Sequence, residues 1–138
     1  NPSISVVILT HNRARMLRIA CGIGGTNTPA EEILIINNDS TDTTAKVVEE
    51  ARLGDTVQGI PPLAGLRMLE GSGQGAWRGR NQGVQAARGE WIAFTDDDCM
   101  PESDWIVQVI KNSHQGYDAV GGLVETAAAI SYPSWWHP

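Results

Sequence analysis

Basic residues are scarce in this chain of 138 residues, which has 10 Lys and Arg against 16 Asp and Glu. The formal net charge at pH 7 is −6, and the sequence pI is about 4.9. A protein that binds a nucleic-acid backbone presents a stripe of Lys and Arg to the phosphates. The acidic balance therefore excludes nucleic acid as an expected partner.

Long apolar runs and cysteines are also few. No run approaches the roughly 18 apolar residues of a membrane span, and no charged start leads into an apolar signal core. Cys21 and Cys99 lie far apart, and we expect two free thiols rather than a disulfide. These absences predict a soluble domain with a cytoplasmic location, or one at the cytoplasmic face of a membrane if the full-length protein is anchored.

Several catalytic signatures are missing as well. No glycine-rich turn directly follows the first apolar run, which disfavours a nicotinamide or flavin enzyme. No His and Cys residues have zinc-binding spacing, and no Ser or Cys lies in a nucleophile elbow or has an obvious His partner. The chemistry of this chain is therefore expected from its carboxylates, hydroxyls and few arginines.

Apolar segments with strand and helix periodicity alternate along the chain. The run SVVILT at residues 5–10 is typical of a parallel strand covered on both faces. Short connections between strands and helices predict an α/β fold, with a Rossmann-like, mostly parallel sheet and helices on both faces. The predicted strands are residues 5–10, 32–37, 66–69, 91–94 and 118–124, and the predicted helices lie near residues 17–24, 44–51, 76–88 and 102–113.

Local signals refine two of these helices. Asp39 or Ser40 is expected to cap the helix that follows the second strand. The next helix is expected to place Val84 and Ala87 against the sheet. A loop with three alternating glycines precedes this helix, but its spacing matches neither the P-loop nor the Rossmann fingerprint, so it is only weak evidence for phosphate binding.

Three consecutive carboxylates follow the predicted strand at residues 91–94. Because strand side chains alternate, Asp96 and Asp98 should lie on one side and Asp97 on the other. Two like charges about 4 Å apart repel by roughly 1 kcal/mol in water, and hard oxygen ligands in this spacing suit Mg²⁺ or Mn²⁺. The alternative is a solvated acidic turn with a helix cap. We favour the metal, since ligands gather at strand ends in open α/β sheets.

Polar clusters end three predicted strands: Thr10 to Asn12, Asn37 to Asp39, and Asp96 to Asp98. Parallel strands bring their carboxyl ends to one edge, so these clusters should line one crevice. Acidic groups and hydroxyls around a metal fit a nucleoside diphosphate, and His11 is interpreted as a pocket wall rather than a base. Arg80 is a plausible nucleotide partner, with a surface Arg–Asp pair as the alternative.

The segments SVVILTHNR, EILIINNDSTDTT, GRNQGVQAARGEWIAFTDDD and CMPESDW resemble, in order and spacing, the first half of the large family of inverting nucleotide-sugar glycosyltransferases with the GT-A fold, family 2-like. The resemblance covers about residues 3–124 and implies a nucleoside-diphosphate sugar donor, with Mg²⁺ or Mn²⁺ as cofactor. It implies that Asp96 and Asp98 are metal ligands. The substrate-binding residues that it implies are Thr10, His11, Asn37, Asp39, Arg80, Asp96 and Asp97.

In that family the ends of the first two strands hold the base and ribose. By this resemblance Thr10 and His11 form the base pocket, Asn37 and Asp39 contact base or ribose, and Arg80 approaches base or diphosphate. Residues 1–124 are then a donor-binding domain, and residues 125–138 an aromatic tail that leads to an acceptor-binding portion. The catalytic base is expected beyond Pro138, in the remainder of a longer protein.

This sequence departs from the family pattern at three positions. Asn37 stands where the family usually has Asp, His11 where Tyr is usual, and Cys99 where another Asp often follows. The aromatic residues near the end form either a sugar platform or a surface that the remaining protein covers: Tyr132, Trp135 and Trp136. Two other functions stay open, a sugar-phosphate nucleotidyltransferase and a non-catalytic nucleotide-binding module that forms homo-oligomers through exposed apolar surface.

Overall fold

The computed structural model describes residues 2–20, 30–54, 62–72 and 75–126. Strands and helices alternate within these ranges, as the sequence predicts. The elements are β1 (Ile4–Thr10), α1 (Ala14–Ala20), β2 (Glu32–Asn37), α2 (Thr44–Leu53), β3 (Leu66–Glu70), α3 (Ala76–Ala86), β4 (Trp91–Asp96) and α4 (Trp105–Ser113). No helix within these ranges is long and apolar enough to cross a membrane.

The described strands form one parallel sheet in the order β3-β2-β1-β4. β1 and β2 lie at its centre and are buried along almost their whole length, which explains their unbroken apolar sequences. In the register of the sheet Thr10 pairs with Asn37, Leu9 with Asp96, and Asn37 with Glu70. The predicted α/β fold with a mostly parallel sheet is confirmed, and the strand ends meet at one edge.

Helices cover both faces of the sheet. On one face, alternate β1 side chains pack with Leu17 of α1, Val48 of α2 and Ile106 of α4. On the other face, Val7 packs in a smaller cluster beside Ala86 of α3. Burial of such side chains stabilises the fold by roughly 1.5–3 kcal/mol each. The central strands β1 and β2 are therefore buried on both faces, and polar groups collect at the two ends of the strands.

Helix α3 contacts the sheet through glycines rather than through large apolar side chains. Gly79 and Gly83 are its buried residues, and a Cβ atom at Gly83 would lie 2.5 Å from Val7 Cγ1. A Cβ atom at Gly79 would collide with Leu9 Cδ1. The predicted packing of Val84 is wrong, because its side chain is 46% exposed. The small residues allow the helix to lie close to the strands.

Two further predictions are corrected by the structure. Residues 118–124 do not form a strand, because no described strand lies beside them to receive their backbone hydrogen bonds, and Leu123 and Val124 are 88% and 85% exposed. Helix α2 is not capped by Asp39 or Ser40 but is preceded by Asp42, whose Oδ1 accepts from Thr44 N at 2.9 Å. Asp39 instead adopts a left-handed backbone conformation (φ 62°) in the preceding loop.

A buried carboxylate joins the amino ends of the strands. Glu32 accepts hydrogen bonds from Ser5 Oγ at 2.9 Å, Arg67 Nε at 2.8 Å and Arg88 N at 2.6 Å. Burial opposes ionisation of Glu32, but the hydrogen bonds from Arg88, Ser5 and Arg67 outweigh it and lower its pKa. This cluster links β1, β2, β3 and the connection from α3 to β4, at the opposite end from the polar strand-end clusters.

The described ranges do not include Cys21, Gly73 or the aromatic residues Tyr132, Trp135 and Trp136. Cys99 is a free thiol, and the prediction for Cys21 stays untested. The predicted boundary between residues 1–124 and 125–138 stays a prediction.

Candidate functional site

The turn after β4 is anchored from below by a buried carboxylate. Asp97 is 5% exposed, and each of its oxygens has a protein partner. Thr10 Oγ1 donates to Asp97 Oδ2 at 2.8 Å, and Arg13 Nη1 donates to Asp97 Oδ1 at 3.2 Å. The Thr10 side chain is itself buried. Thr10 and Asp97, both predicted to bind substrate, therefore use these contacts to fix the end of β1 to the turn after β4.

Asp96 and Asp98 lie on the solvent side of the same turn, as strand alternation predicted. Each is held by an arginine: Arg80 Nη2 lies 2.9 Å from Asp96 Oδ1, and Arg13 Nη1 lies 2.7 Å from Asp98 Oδ2. Both carboxylates are about half exposed, at 55% and 48% of the side chain. For Arg80 the structure therefore shows the surface Arg–Asp pair that the sequence analysis gave as the alternative, and its contact with a nucleotide stays a prediction.

The donor atoms of this turn fit a hard divalent cation. One oxygen of Asp96, one oxygen of Asp98 and Sγ of Cys99 all lie within 4.8 Å of one another. Carboxylates suit Mg²⁺ and Mn²⁺, which usually complete their coordination with water and phosphate oxygens. Thiolates favour softer metals, so Cys99 does not belong to this donor set. Asp96 and Asp98 are the residues that would hold the ion.

Arg13 is a member of the site to which the sequence analysis gave no role. Its guanidinium contacts both Asp97 and Asp98. The charge of Asp97 and then the hydrogen bond to Asp98 raise the pKa of Arg13 above its ordinary value, so the group remains a cation. The only sequence signal for it was a basic residue three positions after the end of β1, and nothing in the sequence identified its partners.

The loops after β1 and β2 are joined through Asn12. This residue has a left-handed backbone conformation (φ 50°), which Asn adopts more readily than most residues. Its Oδ1 accepts from Thr41 N at 2.7 Å and Asp42 N at 3.3 Å, and its backbone N donates to Ser40 Oγ at 2.9 Å. His11 Nδ1 lies 2.7 Å from the carbonyl oxygen of Asn38. The first two polar clusters therefore form one continuous wall.

Both ends of the Asn37 side-chain amide are hydrogen-bonded to neighbouring residues. It is buried, and its Nδ2 donates to both carboxylate oxygens of Glu70, at 3.2 and 3.0 Å. Its Oδ1 accepts from Ser40 N at 3.3 Å. Glu70 was missed by the sequence analysis, although its place at the end of β3 gave a signal. Asp39, by contrast, is exposed at the surface of the same loop.

The start of α3 completes the edge. Gly75 precedes it with φ 83°, and no side chain caps the first turn. Trp77 is exposed, and the Arg78 guanidinium lies 5.2 Å from the centre of its indole ring. Arg80 follows within the same helix and reaches Asp96. Helix α3 therefore contributes cationic and aromatic groups beside the acidic turn.

The sequence model for glycosyl transferase family 2 matches residues 5–138 of this chain. The chain belongs to glycosyltransferase family 2. Glycosyltransferase AglE of Haloferax volcanii is 29% identical over 137 residues, which cover 96% of this chain and 41% of AglE. The putative glycosyltransferase EpsH of Bacillus subtilis is 28% identical over 120 residues, covering 86% of this chain and 33% of EpsH. The family resemblance read from the strand-end motifs is thereby confirmed.

Two solved structures share the fold. TarS 1-349 of S. aureus superposes with a TM-score of 0.68 at 19% identity, over 82% of this chain and 32% of that chain. Mannosyltransferase PcManGT from Pyrobaculum calidifontis superposes with a TM-score of 0.66 at 25% identity, over 80% of this chain and 32% of that chain. The latter structure is a complex with GDP-Man and Mn²⁺. This family 2 chain spans about two fifths or less of these relatives.

Proposed function

We propose that this family 2 chain binds the nucleoside-diphosphate sugar of an inverting glycosyltransferase, with Mg²⁺ or Mn²⁺ held by Asp96 and Asp98. The observation that carries the proposal is the acidic turn, where two half-exposed carboxylates stand above the anchored Asp97. Two carboxylates with open coordination positions suit an ion that also binds diphosphate oxygens. The Mn²⁺ and GDP-Man bound by the related PcManGT support the same assignment.

The electrostatic reason for a cation at this turn is the charge of the leaving diphosphate. A divalent ion bound there supplies positive charge that stabilises this developing charge more in the transition state than in the ground state. The protein's own contribution is to position the two carboxylates that would hold the ion. Thr10 and Arg13 hold Asp97 by both oxygens, and this fixes the backbone from which Asp96 and Asp98 project.

The nucleoside is assigned to the wall formed by the first two loops. His11 and Asp39 are exposed there and would contact base and ribose, while Arg80 would contact base or diphosphate. Thr10 and Asn37 would support this wall from beneath, because their polar groups are bonded to Asp97 and Glu70. Asp96 would reach the ribose as well as the ion.

Sugar transfer requires two further components, an acceptor and a base. An acceptor hydroxyl would attack the anomeric carbon in line with the leaving diphosphate, and a carboxylate would take the hydroxyl proton. We place this base in sequence beyond Pro138, together with the acceptor-binding portion. The acceptor is a saccharide, a lipid or another hydroxyl compound.

Calorimetric titration tests the donor site directly. UDP-, dTDP- and GDP-sugars are each titrated with Mn²⁺ and with chelator, into the wild-type chain and into Asp98→Asn. We expect one nucleotide class to bind in a metal-dependent manner, with affinity reduced at least about tenfold in Asp98→Asn, as loss of a metal ligand costs about 1.4 kcal/mol or more. Asp118→Asn, an exposed acid outside the turn, is the matched control.

Two results would contradict the proposal. One is the absence of binding for every nucleotide class with and without the ion. The other is binding that chelator and Asp98→Asn leave unchanged, which would leave the acidic turn with a structural role only.

A further inference from the structure

Each of the two solvent-facing carboxylates in the acidic turn already has a cationic partner. Arg13 Nη1 lies 2.7 Å from Asp98 Oδ2, and Arg80 Nη2 lies 2.9 Å from Asp96 Oδ1. Three carboxylates and two guanidinium groups give these five side chains a summed formal charge of −1. A divalent cation would therefore approach carboxylates whose charge is largely neutralised, and it would meet two like charges.

The contact between Arg13 and Asp98 is suited to exchange. Both side chains are about half exposed, and ion pairs of that exposure contribute about 0–1 kcal/mol. The contact from Arg13 to Asp97 differs, because the Asp97 side chain is only 6% exposed and its second oxygen is taken by Thr10. Arg13 thus has one contact with the buried Asp97 and a second, weaker ion pair with the exposed Asp98.

We infer that Arg13 exchanges partners: it covers Asp98 in the unliganded protein and binds the nucleotide diphosphate when Asp98 takes a divalent ion. The inference rests on the proposed function and adds a residue to it. A guanidinium is well suited to this role, because its forked donors match phosphate oxygens as well as carboxylates. Arg13 should therefore oppose binding of the ion alone and favour binding of the diphosphate.

Such an exchange makes the ion and the diphosphate cooperative ligands. When Asp98 holds the ion, Arg13 no longer pairs with Asp98. Its guanidinium can then bind the diphosphate. By linkage, each ligand then increases the affinity for the other by the same factor. Removal of Arg13 should reduce this factor even where the ion still binds.

The test compares the wild-type chain with Arg13→Gln, Arg13→Lys and Arg15→Gln. Arg15 is exposed two residues away, and within the described part of the chain it has no ion pair, so its variant removes the same charge without touching the acidic turn. Mn²⁺ alone is titrated by calorimetry, and UDP and GDP are then titrated in chelator and in saturating Mn²⁺. Circular dichroism and melting temperature show whether each variant is folded.

We expect Arg13→Gln to bind Mn²⁺ alone about three- to tenfold more tightly than the wild type, since a nearby like charge is gone. Its affinity for the nucleoside diphosphate in Mn²⁺ should fall about tenfold, through loss of a charge-assisted hydrogen bond. Arg13→Lys should keep part of the coupling, and Arg15→Gln should match the wild type in both titrations.

The inference is overturned if Arg13→Gln binds Mn²⁺ alone no more tightly than the wild type, whatever the nucleotides do. It is also overturned if the coupling between Mn²⁺ and diphosphate is the same in Arg13→Gln and the wild type. If nucleotide binding depends on the metal but is equally strong in Arg13→Gln and the wild type, the proposed function still holds. Tighter Mn²⁺ binding by Arg13→Gln without any nucleotide binding would support the competition at Asp98 and contradict the proposed function of the chain.

Discussion

Thr10 Oγ1 donates a 2.8 Å hydrogen bond to Asp97 Oδ2, and this contact joins residues 87 positions apart in the sequence. Both side chains are buried at the carboxyl edge of the sheet, where β1 and β4 run side by side. The exposed carboxylates on either side of Asp97 take their positions from this bond. The geometry of the acidic turn should therefore depend on a hydroxyl that is itself out of reach of a ligand.

Thr10→Val removes this hydroxyl and keeps the shape of the side chain. We expect a loss of about 1.5–3 kcal/mol in the free energy of unfolding, because a buried carboxylate loses one of its two partners. Urea denaturation measures the change. Thr95→Val on β4 is the control, since the Thr95 side chain makes no hydrogen bond within the described ranges, and its effect should stay within about 0.5 kcal/mol. Equal losses in both variants would argue against the anchoring role.

Glu32 should make stability depend on pH in the acidic range. Its folded-state pKa is lowered from the ordinary value of 4.5, so its contribution is complete above about pH 4.5 and is lost as pH falls through the lower folded value. Unfolding free energies measured from pH 7 to pH 3 should show this loss in the wild type and a smaller one in Glu32→Gln. The variant should also be about 1.5–3 kcal/mol less stable at pH 7.

The adjacent exposed acid Glu31 provides the control for this experiment. Glu31→Gln should retain the pH profile of the wild type, because its side chain lies outside the cluster of Ser5, Arg67 and Arg88. Parallel profiles for the wild type and Glu32→Gln would show that other carboxylates cause the acid sensitivity.

Asn37→Asp introduces the residue that the family resemblance led us to expect at this position, and in this chain it should be destabilising. The substitution replaces an amide that donates to Glu70 at 3.0 Å by a second carboxylate. Repulsion between two charges that close together, near a protein surface, is expected to cost about 4–5 kcal/mol at pH 7. Urea denaturation of Asn37→Asp should show this loss, and the double variant Asn37→Asp, Glu70→Gln should recover most of it. A double variant no more stable than the single one would contradict the pairing.

The strands and the acidic turn could be predicted because their signals are local. An unbroken apolar run identifies a strand buried on both faces. Strand alternation predicted that Asp96 and Asp98 share the solvent side, and the turn that follows Asp96 places them there. The partners of Arg13 and Asn37 could not be predicted, since they lie 84 and 33 residues away and depend on the register of the sheet.

The errors at residues 118–124 and in α3 have a common cause. Periodicity describes a single segment and says nothing about the element that packs or pairs with it. The Val and Gly pattern at residues 118–124 resembles a strand, but a strand also needs a partner, and none lies beside it among the described residues. In α3 the buried positions were sought among large apolar residues, whereas Gly79 and Gly83 make the contact. A glycine pair four residues apart was the signal that apolar periodicity overlooks.

The amide of Asn12 has a consequence for the thermodynamics of ligand binding. By accepting hydrogen bonds from Thr41 and Asp42, it orders two loops that would otherwise lose conformational entropy on binding the proposed nucleotide. That cost is met during folding, so the loops around His11 and Asp39 form a preorganised wall. Under the proposed function, more of the intrinsic energy of nucleotide contacts with this wall would therefore be available as affinity.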